Sequence, residues 1–182
     1  MTVQVFYKNK DNSNNLALFV EDNFNVSSLK KNVSNVELSY IQEILKNYNL
    51  TKNILTFDLN SKKRITLINV KKNLVSFEVE KLGAEFYNFV KNNHIKELSI
   101  NFDSLNKKHE KNFIGLFLHG LKLKSYEFNI YKSKKAKKIF SINILGKKNN
   151  EAFKNELKFK ALEEGTNFAR DLVSEPPNVL NP

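Results

Sequence analysis

The hydrophobic period of this chain switches repeatedly, and that switching limits its possible folds more than any other feature. Leu98, Ile100 and Phe102 alternate with polar neighbours, as do Phe140, Ile142 and Ile144. Other stretches return an apolar residue every three or four positions. Strands show successive side chains to opposite faces and helices gather them on one stripe, so a chain carrying both patterns in turn folds as α/β. The expected strands are Thr2–Tyr7, Leu16–Val20, Ile54–Leu59, Arg64–Val70, Leu98–Phe102 and Phe140–Ile144. Polar Asn9–Asn15 joins the first two, and polar Asn60–Lys63 separates the next two.

The helices carry their own start signals. Ser34 followed by Glu37 predicts a capping box, hydroxyl and carboxylate each satisfying an orphan backbone donor. The helix it starts places Leu38, Ile41, Leu45 and Tyr48 on one face. A second helix carries Val79, Leu82, Phe86, Phe89 and Val90 and ends near Asn92–Asn93, while Leu74–Val79 reads equally as strand or helix start. Asp103 or Ser104 is expected to cap a third, running through Phe113, Leu116, Phe117 and Leu121 to about Phe128. The last spans Asn150 to Val173, with Phe153, Leu157, Ala161, Gly165, Ala169 and Leu172 on one stripe. Its small residues four apart predict a close neighbour, a reason to keep Gly165 at a cost of about 1 kcal/mol against alanine.

At 182 residues the chain can bury a real core as one large domain, or one domain with an appendage. It has no cysteine, which excludes disulfides, thiolate metal sites and a cysteine nucleophile. Apolar runs such as Phe113–Leu118 fall far short of a membrane span, and Met1 leads into a strand pattern without a signal-like region, so a cytoplasmic location is expected. The net charge of +11 invites a nucleic-acid reading. Against it, 28 of the cations are Lys and only Arg64 and Arg170 offer the bidentate fork; 28 Asn beside them look like the codon bias of an AT-rich genome. Only Lys132–Lys138 is a dense run, which makes Lys132, Lys134, Lys135, Lys137 and Lys138 the candidate nucleic-acid contacts.

No catalytic constellation assembles from the spacing. His94 falls at a helix end, where a cation suits the helix dipole, and His109, Glu110 and His119 lack the four-residue spacing that places two imidazoles on one helix face. Adjacent Glu163 and Glu164 diverge on a helix and read as a solvated face. Asp58 and Asp103 stand at strand ends without a recognisable partner, and capping accounts for both. The five glycines are too scattered for a phosphate cradle; Gly115 and Gly120 read as helix contact positions. By elimination the chain contributes structure, interface or binding.

The final residues carry more information. Pro176-Pro177 cannot continue a helix, so Ser174 to Pro182 is expected to run extended. The sequence ALEEGTNFARDLVSEPPNVLNP, residues 161–182, resembles the helix and connector between the amino-terminal and catalytic domains of leucyl aminopeptidases, the cytosol aminopeptidase family of two-metal exopeptidases. The matching positions are Glu164, Gly165, Ala169, Arg170, Asp171, Leu172, Glu175, Pro176, Pro177, Asn178 and Pro182; Ser174 stands where Asn is commoner. A second stretch, GLKLKSYEFNIYKS over Gly120–Ser133, is similar to a helix end of the same family, with Lys124, Glu127 and Asn129 as departures.

The resemblance implies a three-layer α/β/α domain with a mixed sheet, more distantly like the macro-domain architecture. It implies an amino-terminal α/β domain over 1–148, a closing helix over 149–174 and an extended connector over 175–182. It further implies an intact protein that removes amino-terminal residues, leucine preferred, from peptides. Its two divalent ions, Zn²⁺ or Mn²⁺, would lie in a carboxy-terminal catalytic domain, and the whole would form a homohexamer. No catalytic or metal-ligating residue of the family maps onto this chain. Arg170, Asp171, Glu175, Pro176, Pro177 and Asn178 are implied as connector residues, Arg170 and Glu175 fixing the junction by ion pairing. A lysine-rich DNA-binding surface is the alternative reading.

Overall fold

The structure, a computed structural model, describes residues 2–8, 13–48, 50–106, 112–132, 139–146, 155–176 and 179. Six strands form one sheet: β1 (Thr2–Tyr7), β2 (Asn15–Glu21), β3 (Ile54–Asn60), β4 (Lys63–Val70), β5 (Glu97–Asn101) and β6 (Ile139–Leu145). The described helices are α1 (Asn35–Lys46), α2 (Ser76–Asn92), α3 (Phe113–Ser125) and α4 (Glu156–Ser174). Strand order is β1-β6-β5-β2-β4-β3. Every pairing is parallel except the β3–β4 hairpin at one edge, so the sheet is mixed. β1 and β2 follow one another in sequence but are separated by β5 and β6.

Both sheet faces are covered, as the uninterrupted apolar run of β2 requires. Ala17 and Phe19 of β2 join Ile68 and Val70 of β4 against α2 and α3. Leu16, Leu18 and Val20 join Ile65 and Leu67 against Leu29, Leu38 and Ile41, the last two from α1. Six phenylalanines, all nearly inaccessible, fill the first core. Phe117 is central among them, its ring centroid 5.5 Å from Phe19 and Phe86 and 6.2 Å from Phe113.

α2 and α3 approach closely because glycine faces backbone on both sides. A Cβ on Gly83 would lie 2.0 Å from the Phe117 carbonyl oxygen, and one on Gly120 would lie 1.9 Å from that of Glu80.

The capping box forms. The Ser34 amide donates to the Glu37 carboxylate at 2.8 Å, and the Glu37 amide donates to Ser34 Oγ at 3.3 Å. Lys63 Nζ also reaches Glu37, at 2.8 Å. That lysine bond, then the bonds from Ser34, hold the Glu37 carboxyl below the ordinary carboxylate range. A depressed folded-state pKa contributes stability that is complete above the unfolded pKa and is lost as pH falls through the folded one. Glu37→Ala is therefore expected to cost about 1 kcal/mol at neutral pH. Urea midpoints should show that deficit shrinking in acid.

Three expectations need correction. The ambiguous Leu74–Val79 resolves as a helix start at Ser76, where Glu78 accepts from the Val75 amide at 3.0 Å. Asp103 and Ser104 do not cap α3; they lie in a 3-10 turn, Phe102–Ser104, and α3 starts at Phe113. Ser104 Oγ instead accepts from the Phe19 amide at 2.8 Å and donates to the Asn101 carbonyl at 2.6 Å, tying β2 to the end of β5. Tyr48 lies beyond the end of α1 and is exposed. Glu175, where the connector begins, is extended (φ −72°, ψ 141°), and the Val179 amide donates to the Pro176 carbonyl at 3.0 Å.

Candidate functional site

Three of the connector side chains singled out by the sequence, Arg170, Asp171 and Glu175, gather at one seam, where α4 lies along α3. Its inward residues are Phe159, Glu163, Thr166, Asn167 and Arg170, spaced by three and four as one helix face requires. Only Phe159 is a large apolar residue. Its ring sits 5.0 Å from that of buried His119 and fills the space left by Gly115.

The rest of the seam is polar. Glu163 is only 9% exposed, with Oε1 3.2 Å from His119 Nδ1 and Oε2 3.2 Å from Lys122 Nζ. A buried carboxylate is tolerated when its lone pairs are taken up in this way. Two turns on, Arg170 Nη1 donates to the Leu123 carbonyl at 2.7 Å, with the guanidinium 5.4 Å from the centroid of the Tyr126 ring. The Tyr126 hydroxyl donates to Asp171 at 2.7 Å. Partial burial, then that bond to Asp171, raises the Tyr126 pKa above its ordinary value. The Tyr131 hydroxyl donates to the Glu175 carboxylate, which raises its pKa as well.

The two stretches that carry the family resemblance therefore meet in space. Leu123, Tyr126 and Tyr131 of the first hold Arg170, Asp171 and Glu175 of the second. Among the described residues Arg170 and Glu175 make hydrogen bonds to a carbonyl and a phenol, because the carbonyls ending α3 need donors and Arg170 is within reach. His119, Lys122, Tyr126 and Tyr131 were not singled out as junction residues. The signal for the tyrosines lay in the quoted motif itself; nothing in the sequence pointed to His119 or Lys122.

Beside the seam a cleft of about 320 Å³ opens between Val3, Lys122, Tyr126, Glu127, Glu163 and Asn167. Both its carboxylates are engaged, Glu163 as above and Glu127 by Lys91 Nζ at 2.9 Å. Elsewhere the candidates disperse. Asp58, expected to lack a partner, pairs with Arg64 at 2.7 Å across the β3–β4 hairpin. Glu163 and Glu164 do diverge, but only Glu164 faces solvent. His94 follows α2 with a positive φ of 54°. Lys132 is exposed, whereas Lys134, Lys135, Lys137, Lys138, Pro177, Asn178, Pro182 and His109 lie outside the described residues. Among the described residues no three His, Cys, Asp or Glu side chains gather to hold a metal ion.

No described helix is long and apolar enough to cross a membrane. Residues 51–135 match the sequence model of the cytosol aminopeptidase family, N-terminal domain. A probable cytosol aminopeptidase of Clostridium perfringens is 30% identical over 172 residues, covering 84% of this chain and 34% of that protein. The probable cytosol aminopeptidase of Rhizobium leguminosarum is 40% identical over 72 residues, 36% of this chain and 14% of that one. Among solved structures, a tomato leucine aminopeptidase mutant superposes over 98% of this chain and 39% of its own, with a TM-score of 0.62 at 17% identity, a likeness of fold. The bottromycin maturation enzyme BotP in complex with Mn matches 93% of this chain and 34% of its own, with a TM-score of 0.62 at 12% identity. The chain thus spans about a third of the Clostridium relative it matches. With the family's own domain model matched along its centre and a curated member along most of its length, the chain belongs to the cytosol aminopeptidase family, as its amino-terminal domain.

Proposed function

We propose that these residues form the non-catalytic domain of a cytoplasmic leucyl aminopeptidase and have no bond-making centre of their own. The observation that carries this reading is the division of the relatives. The chain answers to the family's amino-terminal domain and to about a third of a full-length member. In the intact protein a second domain would bind two divalent ions, and those ions would polarise the scissile carbonyl, activate a water and hold the peptide's free amine. The relative solved with Mn supports Mn²⁺ as one candidate beside Zn²⁺. This domain would lie at the periphery of a homohexamer and shape access and assembly. The polar seam supports that role, since its groups are spent on fixing α4 against α3.

The isolated 182-residue chain, given leucyl-p-nitroanilide with Zn²⁺ or Mn²⁺, is expected to release no nitroaniline above the blank. Turnover that co-purifies with the chain would overturn the reading.

A further inference from the structure

We propose that α4 is a polar latch, a helix that opens away from α3 as a unit while the sheet, α2 and α3 stay folded, with the Glu163 carboxylate as its lock.

Burial of an apolar face is the largest force that holds a helix to a domain. α2 buries Val79, Leu82, Phe86 and Val90, and α3 buries Phe113, Leu116, Phe117 and Leu121. Among the 19 residues of α4 the one buried residue is Glu163. The usual amphipathic arrangement is inverted. Leu157, Leu162, Phe168, Leu172 and Val173 are all exposed, the first at 83%, and Phe159 alone carries a large apolar side chain inward.

What holds α4 is a row of polar bonds. Asn155 Nδ2 donates to Asn112 Oδ1 at 2.8 Å, just ahead of the first turn. Glu163 meets His119 and Lys122, both from α3, at 3.2 Å each. Arg170, Asp171 and Glu175 follow, held by Leu123, Tyr126 and Tyr131. Between these points Asn167 Oδ1 is buried with no hydrogen-bond partner among the described residues, which weakens the seam. Each bond contributes little net stability, because water offers a similar one to the open helix. α2 and α3 differ in kind, since neither can leave without exposing the phenylalanine core. α4 therefore opens first. Opening also frees the start of the connector, because Tyr126 and Tyr131 reach Asp171 and Glu175 only while the helix is down.

Glu163 stands apart from the other anchors because it ties two α3 side chains at once and lies out of water. Glu163→Gln turns its charge-assisted bonds into neutral ones, about half as strong, and leaves Lys122 without its anion. Adjacent Glu164 is the matching control. It faces solvent and lies 3.9 Å from Lys160 on its own helix.

Amide hydrogen exchange of the 182-residue chain, followed by mass spectrometry of peptides from α2, α3 and α4, reads each opening separately. The slowest α4 amides should exchange about a hundred-fold faster than the slowest of α2 and α3, yet more slowly than unstructured chain. Glu163→Gln should speed α4 about ten-fold further and leave α2 and α3 unchanged, while Glu164→Gln alters none of them. Protection retained in α2 and α3 shows in the same sample that each variant is folded. α4 exchanging no faster than α2 and α3 would overturn the proposal, because the helix would then leave only with the whole domain. So would α4 exchanging as unstructured chain, which would have no closed state to lock. Equal α4 rates in the two variants would overturn the role of Glu163. Loss of protection in α2 and α3 together with α4 would contradict the latch as well, since the seam would then be part of the core.

Discussion

Phe117→Ala is expected to cost about 3–5 kcal/mol, the range for removing a fully buried aromatic ring. Phe117 is inaccessible and its ring meets those of Phe19, Phe86, Phe102 and Phe113. The loss is larger than an area argument alone gives, because rings from β2, α2 and α3 cannot all relax into one gap. A domain of this size has a total stability of about 5–15 kcal/mol, so the variant should lose about a fifth of it or more. Urea unfolding followed by far-ultraviolet circular dichroism reads this as a fall in midpoint at unchanged slope. A shift under about 1 kcal/mol would mean that the site collapses freely and that the core between sheet and helices is not tightly packed.

The second large effect is a pair of identical substitutions with opposite signs. Gly120→Ala places a methyl group 1.9 Å from the Glu80 carbonyl oxygen, and backbone cannot swing aside as a side chain can. Helices α2 and α3 must separate, at a cost of about 3 kcal/mol or more. Gly165→Ala puts the same group on α4 with nothing within 4 Å. There the helix preference of alanine over glycine should appear unopposed, a gain of about 1 kcal/mol. Thermal midpoints of the two variants should therefore move in opposite directions. A loss in Gly165→Ala within the isolated chain would reveal a neighbour against α4 that the described residues do not contain.

The contrast between these glycines also shows what the sequence made legible. Short apolar or alternating runs between polar turns found the six strands, and the Ser34–Glu37 spacing found the start of α1, because local chemistry decides both. The order of strands was not legible; pairing β1 with β6 is a long-range choice that no local pattern records. Gly120 and Gly165 look alike in sequence, each on a helical pattern beside apolar residues, yet one touches backbone and the other touches nothing. Periodicity predicts that a stripe will be covered, not by what. For α4 it placed the apolar stripe correctly and misled about its direction, since the seam is made by Glu163, Arg170 and Asp171 instead. Glu163 read as solvated because burying a carboxylate needs partners, and His119 and Lys122 come from 44 and 41 residues away in the chain. The Asp58–Arg64 pair was within reach, as opposite charges placed nearly symmetrically about the Asn60–Lys63 turn.

That this chain serves chemistry housed in another domain is tested most directly by enzymatic turnover after that domain is supplied. A fusion of this chain ahead of the remaining two thirds of the Clostridium relative and the isolated chain would be assayed side by side on leucyl-p-nitroanilide with Mn²⁺. Turnover by the fusion and none by the chain alone is the predicted result. Equal turnover by both, or an inert fusion beside a working Clostridium enzyme, would contradict it.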